Sequence, residues 1–263
     1  VPSTAQITQL KVRLARLSRH EAGGRAGRFT LGMDRVDAHL DPGPCLFCLH
    51  DIHAETAADA VAANAFALGL ATRAAPDRPL VWVFQTLAGQ EAGRLYGPGL
   101  HEWGLRPQSV LVVRVRDAVA MLAAGEEALK SGAVGAVLMS GWGEPKAINL
   151  TATRRLALAA RAGGGTAFLV RAAAAALPSA AETRWSVRAA PSTGLEAGAP
   201  GRPAFVAALT RNRQGAAPAE WTLEWDRESR AFREPAPLSG RRVSVPVLGS
   251  AASRDGAGWR RTG

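Results

Sequence analysis

Apolar positions follow two rhythms along the chain. Short continuous apolar runs, each bounded by turn residues, occupy 45–52, 79–86, 109–115, 133–139 and 166–171. Runs of that length and continuity predict strands buried on both faces. Between them lie longer stretches with helical spacing: 55–73, a short helix within 96–105, a helix from Asp117 to Lys130, and 151–161. Asp117 stands where an N-cap belongs and Lys130 where the helix dipole favours a cation. Gly163, Gly164 and Gly165 close the last helix. Strand–helix alternation of this kind predicts an α/β fold, a mainly parallel sheet with helices on both faces.

Beyond residue 172 the rhythm changes to period two. "RWSVRAAPS", "PAFVAALTRNR" and "EWTLEWDRE" follow one another without intervening helices. Trp185 and Val187, then Phe205, Ala207 and Leu209, then Trp221, Leu223 and Trp225 fall on one face of each run. This predicts an antiparallel extension at the C-terminal side of the sheet. The ends differ from the middle. Residues 4–20 place Ile7, Leu10, Leu14 and Leu17 at helical spacing among Lys11, Arg13, Arg16 and Arg19. From residue 232 the chain is rich in Pro, Gly, Ser and Arg, which predicts a disordered tail with "RRVSVPVLG" as a docking segment. The expected division is a basic helix over 1–28, a core over 29–231 and a basic flexible tail over 232–263.

Charge sharpens that division. The 263 residues carry 32 Lys and Arg against 22 Asp and Glu, a net charge of +10. Residues 1–28 hold six cations against one acid, and 227–263 hold eight against three, so the excess sits at the ends. Only Lys11, Lys130 and Lys146 are lysines; an Arg- and Ala-rich chain fits either a GC-rich genome or contact with nucleic acid. The candidates for contact with DNA or a partner are Lys11, Arg13, Arg16, Arg154, Arg155, Arg211, Arg213, Arg241, Arg242, Arg260 and Arg261. Trp142, Trp185, Trp221 and Trp225 would suit base stacking, although core packing explains most of them. No apolar stretch long enough for a membrane span and no secretory leader pattern is visible, so a cytoplasmic location is expected. With only Cys45 and Cys48, a disulfide scaffold is excluded and a reducing compartment is the default.

Two positions test for nucleotide chemistry. A phosphate-binding loop after the first strand needs glycines that let backbone N–H groups cradle phosphate, a Lys, and a Ser or Thr for the metal. The turn reads His53-Ala54-Glu55-Thr56-Ala57-Ala58-Asp59-Ala60, with neither Gly nor Lys, and two carboxylates where phosphate oxygens would go. The fourth strand, where an ATPase places a magnesium-organising Asp, ends Leu138-Met139-Ser140-Gly141. His53, Glu55, Thr56, Asp59, Ala60 and Ser140 therefore mark a vestigial nucleotide site, with no catalytic residue and no cofactor expected. A metal site built from Cys45, Cys48, His50 and His53 is also disfavoured. Strand alternation puts Cys48 and His50 on one face and Cys45 and His53 on the other, so the two thiols do not converge.

The order of elements resembles the ImuA family, RecA-like and SulA-related proteins of a DNA-damage-inducible mutagenesis cassette. The segments that carry the resemblance are "CLFCLHDIHAETAADAVAANAFALGLATR", "RPLVWVFQTLAGQEAGRLYGPGLHEWGLRPQSVLVVRVRD", "AGEEALKSGAVGAVLMSGW", "LTATRRLALAARAGGGTAFLVR" and "TRWSVRAAPS", with "EWTLEWD" near the end. They span about 29–226. The resemblance implies a RecA-like core in which 52–61 overlays the phosphate loop. It further implies work beside ImuB, an inactive Y-family polymerase relative, and an error-prone DnaE-type polymerase. RecA and DNA are further expected contacts, self-assembly is open, and nucleoid association during damage is implied. Against this accessory role stand two alternatives. One is an ATPase with a displaced phosphate site, using Lys146 or Arg154. The other is a SulA-like inhibitor of cell division.

Overall fold

The structure, a computed structural model, describes residues 27–41, 43–93, 95–194, 199 and 201–235. The helix expected over 4–20 and the segment beyond residue 235 lie outside the described residues. So do Lys11, Arg13, Arg16, Arg241, Arg242, Arg260 and Arg261.

After a short helix α1 (Asp34–His39) come β1 (Leu49–Ala54), α2 (Ala60–Ala74), β2 (Leu80–Gln85), α3 (Thr86–Glu91), α4 (Gly97–Glu102) and β3 (Val110–Val115). Then follow α5 (Ala118–Lys130), β4 (Ala136–Trp142), α6 (Leu150–Gly163) and β5 (Thr166–Ala172). Four strands complete the described residues: β6 (Thr183–Ala189), β7 (Ala204–Asn212), β8 (Ala219–Asp226) and β9 (Ala231–Arg233). All nine join one sheet in the order β3-β2-β4-β5-β1-β6-β7-β8-β9. The fold is α/β with a mainly parallel sheet, consistent with the RecA-like class.

Alternation along the strands sorts side chains into two cores. Ile52, Trp82, Leu138, Phe168 and Trp185 face α2, whose Ala63, Phe66, Ala67 and Leu70 pack down on them. Leu49, Val83, Val137, Met139 and Leu169 face the other way, against Met121 and Leu129 of α5 and Leu156 of α6. Because β1, β2, β4 and β5 are covered twice, most of their residues are apolar and they read as nearly continuous runs, although β1 also buries His50, Asp51 and His53 and β5 buries Arg171. The helix ends follow capping chemistry. Asp117 accepts from the Ala120 N–H at 2.9 Å and Asn149 from the Ala152 N–H at 3.0 Å. Gly164 turns left-handed, φ +66°, to stop α6, as only glycine does without strain.

Four expectations need correction. The run over 184–192 is not antiparallel to everything: β6 pairs parallel with β1, and only its outer side pairs antiparallel with β7. Its inner neighbour is thus a core strand, and the antiparallel extension begins at β7. Secondly, the core does not stop at residue 231. Phe232 in β9 is fully buried, set edge-on to Trp225 and packed over Gly69 of α2, where a Cβ would stand 2.5 Å from its ring. Composition hid this because one aromatic in a Pro- and Arg-rich stretch is enough to seal a core edge. Thirdly, α2, expected from residue 55, begins at Ala60 after a single 3-10 turn over Ala57–Asp59, so Glu55 and Thr56 are loop residues.

The fourth correction concerns the cysteines. β1 begins only at Leu49, and 45–48 is a turn with Phe47 in the left-handed region, φ +59°. The strand alternation that would have separated the two thiols does not apply to a turn, and Cys45 and Cys48 are joined as a disulfide.

Candidate functional site

The parallel strands end at a shared rim formed by Ala54, Gln85, Trp142, Ala172 and Ala189, the place where open α/β sheets bind ligands. Here β1 leaves the sheet and turns into α2. A phosphate loop at this point would direct free N–H groups toward an anion. In this chain an internal carboxylate takes them. The Thr56 N–H donates to Asp59 Oδ2 at 3.1 Å and the Thr56 hydroxyl to the same oxygen at 2.6 Å. From the end of β6, the Ala189 N–H donates to Asp59 Oδ1 at 2.9 Å. Burial opposes ionisation of Asp59, yet the Thr56 and Ala189 bonds and the Arg188 charge hold its pKa below the usual carboxylate value. Glu55 is tied to the same strand: its N–H donates to Val187 O at 2.9 Å, and its carboxylate meets Arg188 Nε at 3.1 Å. Arg188 is thus engaged by Glu55 and, at 3.3 Å, by Glu220 of β8.

Beneath the turn, Ser140 occupies the strand position where a magnesium-organising Asp would stand. Its hydroxyl accepts from Trp82 Nε1 at 2.8 Å and donates to Asn64 Oδ1 on α2. Asn64 in turn donates to the Ala60 carbonyl at 2.8 Å. The network locks the first turn of α2 onto β2 and β4 and presents no carboxylate to the rim. Ala60 is buried at the start of that helix.

His53 belongs to a different group. It points from β1 to the face opposite α2, beside Asp51. Asp51 is fully buried and receives two bonds from Arg171 of β5, Nη2 to Oδ2 at 2.6 Å and Nε to Oδ1 at 3.1 Å. Ser179 Oγ donates to it at 2.8 Å and Arg184 Nε at 3.3 Å. Burial alone would raise the Asp51 pKa; the His53 ring and the Arg171 guanidinium outweigh it and hold the carboxyl well below its usual range. His53 Nε2 lies 3.4 Å from Asp51 Oδ2 in a geometry that makes no hydrogen bond. This cluster escaped the sequence reading. Its signal was present: an Asp inside the apolar run "CLHDIHA" and an Arg closing "TAFLVR" each require a buried partner.

The described basic candidates fall into two uses. Arg154 is exposed on α6. Arg155 instead reaches Glu126 of α5 at 2.6 Å and clamps the two helices. Arg211 donates to Ser179 O at 3.3 Å and Arg213 to Ala180 O at 3.5 Å, so both brace the segment over 173–182 that covers Asp51. The Ala180 N–H donates to Thr153 Oγ1 and ties that segment to α6 as well. Three of these four arginines thus have structural bonds that a free phosphate-binding side chain would lack. Trp185 and Trp225 are buried; Trp142 and Trp221 are half-buried. Among the described residues no group of three or more His, Cys, Asp and Glu is placed to hold a metal ion. No described helix is long and apolar enough to cross a membrane.

Comparison of the chain with protein-family models finds no match, and comparison with curated proteins finds none. Fold and site together define the class: a mainly parallel α/β protein in which Asp59, at the start of α2, takes the backbone N–H groups of Thr56 and Ala189.

Proposed function

We propose that the protein is a non-catalytic, RecA-like accessory factor of DNA-damage-induced translesion synthesis. It acts by binding an ImuB-type inactive Y-family polymerase, with RecA, an error-prone DnaE-type polymerase and DNA as further contacts at the nucleoid. The observation that carries the non-catalytic part is Asp59, whose carboxylate takes the N–H groups of Thr56 and Ala189. A nucleotide phosphate would have to displace a buttressed carboxylate and then meet Glu55 beside it, an arrangement of like charges that opposes binding. The partners rest on the family resemblance. Surface chemistry is in keeping with a protein that works by contact. The edge strand β3 leaves Leu111 61% exposed with an unpaired backbone side, and Val119 and Leu158 stand 65% and 66% exposed on α5 and α6.

Two titrations of the full chain test the reading: one with a fluorescent ATP analogue and magnesium, one with purified ImuB. The expected result is tight ImuB binding without saturable nucleotide binding. Micromolar nucleotide binding lost on changing Lys146 or Arg154 would instead establish an ATPase with a displaced site. Failure to bind ImuB would remove the accessory role. DNA binding, measured across a salt series, should weaken steeply as salt rises if the basic residues outside the described segment carry it.

A further inference from the structure

The Cys45-Leu46-Phe47-Cys48 turn lies at the opposite end of β1 from the nucleotide-like site, and neither the fold nor the proposed function requires a disulfide there. Its surroundings are ordered around one histidine. His50 Nε2 faces the Cys45 carbonyl at 2.9 Å and Cys48 Sγ at 3.7 Å. Its Nδ1 lies 2.7 Å from Thr183 Oγ1, and that oxygen also accepts from Trp185 Nε1 at 2.9 Å. The ring is stacked on Phe168 and approached edge-on by Phe29. A carbonyl only accepts, so Nε2 must carry the hydrogen. Burial keeps the ring neutral, so Nδ1 is bare and the Thr183 hydroxyl donates to it. The order of donation is fixed: Trp185 to Thr183, Thr183 to His50, and His50 toward Cys45 O and the Cys48 sulfur.

We propose that Cys45 and Cys48 form a reversible thiol–disulfide exchange site in which His50 stabilises the Cys48 thiolate. The Nε2–H that faces a disulfide sulfur weakly would bond a thiolate strongly, because the acceptor is then charged. The lower the pKa of the leaving thiol, the faster it leaves. An incoming thiol therefore attacks Cys45 Sγ as its thiolate. The Cys45–Cys48 bond breaks, its electron pair passes to Cys48, and a mixed disulfide forms at Cys45. A second thiolate, from the same molecule for a dithiol or from a second molecule for glutathione, then attacks the reductant's sulfur in that mixed disulfide. Cys45 is released as a thiolate that takes up a proton, and the reductant becomes a disulfide. Two electrons pass to the protein, and the reverse sequence reoxidises it. When Cys48 is protonated, its S–H has an acceptor as well, the Cys45 carbonyl 3.0 Å away. Both protonation states of the reduced sulfur thus have a partner, and this distinguishes the site from a pair buried among apolar groups alone.

The bridge also holds a clasp. The Leu46 N–H donates to Gly27 O at 2.8 Å, and the Phe29 N–H to Pro44 O at 3.1 Å. The Phe47 N–H donates to Thr166 Oγ1 at 3.1 Å. These bonds fasten the segment entering at residue 27 to the start of β1 and β5. Opening the ring lets Phe47 leave its left-handed conformation, which a residue with a Cβ adopts only under constraint. The amides of Leu46 and Phe29 should then exchange faster.

The test equilibrates the full, folded chain in graded ratios of reduced to oxidised glutathione, from both directions, followed by acid quench, maleimide labelling and mass measurement. The expected result is one reversible transition between species carrying two labels and none. Amide exchange at Leu46 should quicken in the reduced protein and be insensitive to the glutathione ratio in the C45S/C48S double variant. His50→Gln should move the transition toward the disulfide; should that variant not fold, Thr183→Val, which removes the hydroxyl that orients the ring, tests the same point. Two retained free thiols in excess oxidised glutathione would overturn the proposal. So would a bridge that closes only in urea, or a stable glutathione adduct as the end product.

Discussion

Asp51 of β1 and Arg171 of β5 form a two-bond ion pair, 2.6 and 3.1 Å, in the interior of the sheet, with side chains 0% and 3% exposed. The strands place the residues on one face, since Arg171 lies opposite His53, two positions along β1 from Asp51. Taking two charges out of water is costly, and their attraction offsets that cost only while both are present. The surrounding bonds from Ser179 and Arg184 add donors that a lone pair would lack.

Removing one partner should therefore hurt more than removing both. Asp51→Ala strands two guanidinium groups and should lower stability by about 3–5 kcal/mol in urea unfolding. An Asp51→Leu, Arg171→Met double variant should recover much of that loss. Equal losses for single and double variants would show that packing rather than charge governs the site.

Acid should weaken the fold in two steps. Burial pushes the His50 pKa down to about 4, against 6.5 for a free histidine, so the unfolded chain binds its proton first. Stability is fully present above pH 6.5 and falls as pH drops toward 4, by about 3 kcal/mol from this group. The depressed Asp51 carboxyl adds a second loss below about pH 3.9, where the unfolded carboxylate protonates. Urea unfolding at pH 7.5, 5 and 4 reads the first step, and His50→Phe should flatten it.

Phe232 should behave as a core residue. Phe232→Ala removes a fully buried ring and should cost about 3–5 kcal/mol. Gly69→Ala drives a methyl to 2.5 Å from that ring and should cost about 1–3 kcal/mol. In the double variant the second cost should shrink, because the ring that the methyl strikes has gone. Additive losses would place the two side chains apart in solution.

Asp59→Ala should remove a capping carboxylate and lower stability by about 1 kcal/mol, with the N–H groups of Thr56 and Ala189 left to water. Inorganic phosphate should protect this variant against heat and leave the parent chain unchanged. Equal protection of both would mean that Asp59 does not occupy the anion position.

Several of these features were legible in the chain. The apolar runs located the doubly covered strands β2, β4 and β5 and the start of β1, because a strand buried on both faces is mostly apolar on both. Asp117 announced a helix cap, and the turn over 53–60 showed the carboxylates of Glu55 and Asp59 that the structure ties to Arg188, Thr56 and Ala189. The cap and the composition of the turn are local properties, set by residues a few positions apart. The buried cluster was less legible. Asp51 and Arg171 were visible as charges in apolar runs, but nothing local linked residues 120 positions apart.

What the sequence determined by itself is the set of elements, since each depends on periodicity and capping within one segment. Tertiary structure decided the rest: that β6 runs parallel beside β1, that Asp59 meets the Ala189 N–H, that Phe232 seals the core, and that Cys45 and Cys48 meet. The physical reason is range. A local pattern fixes which face of a segment is apolar, whereas the partner of a polar group or a ring is chosen by packing, which acts between residues that only the folded chain brings together.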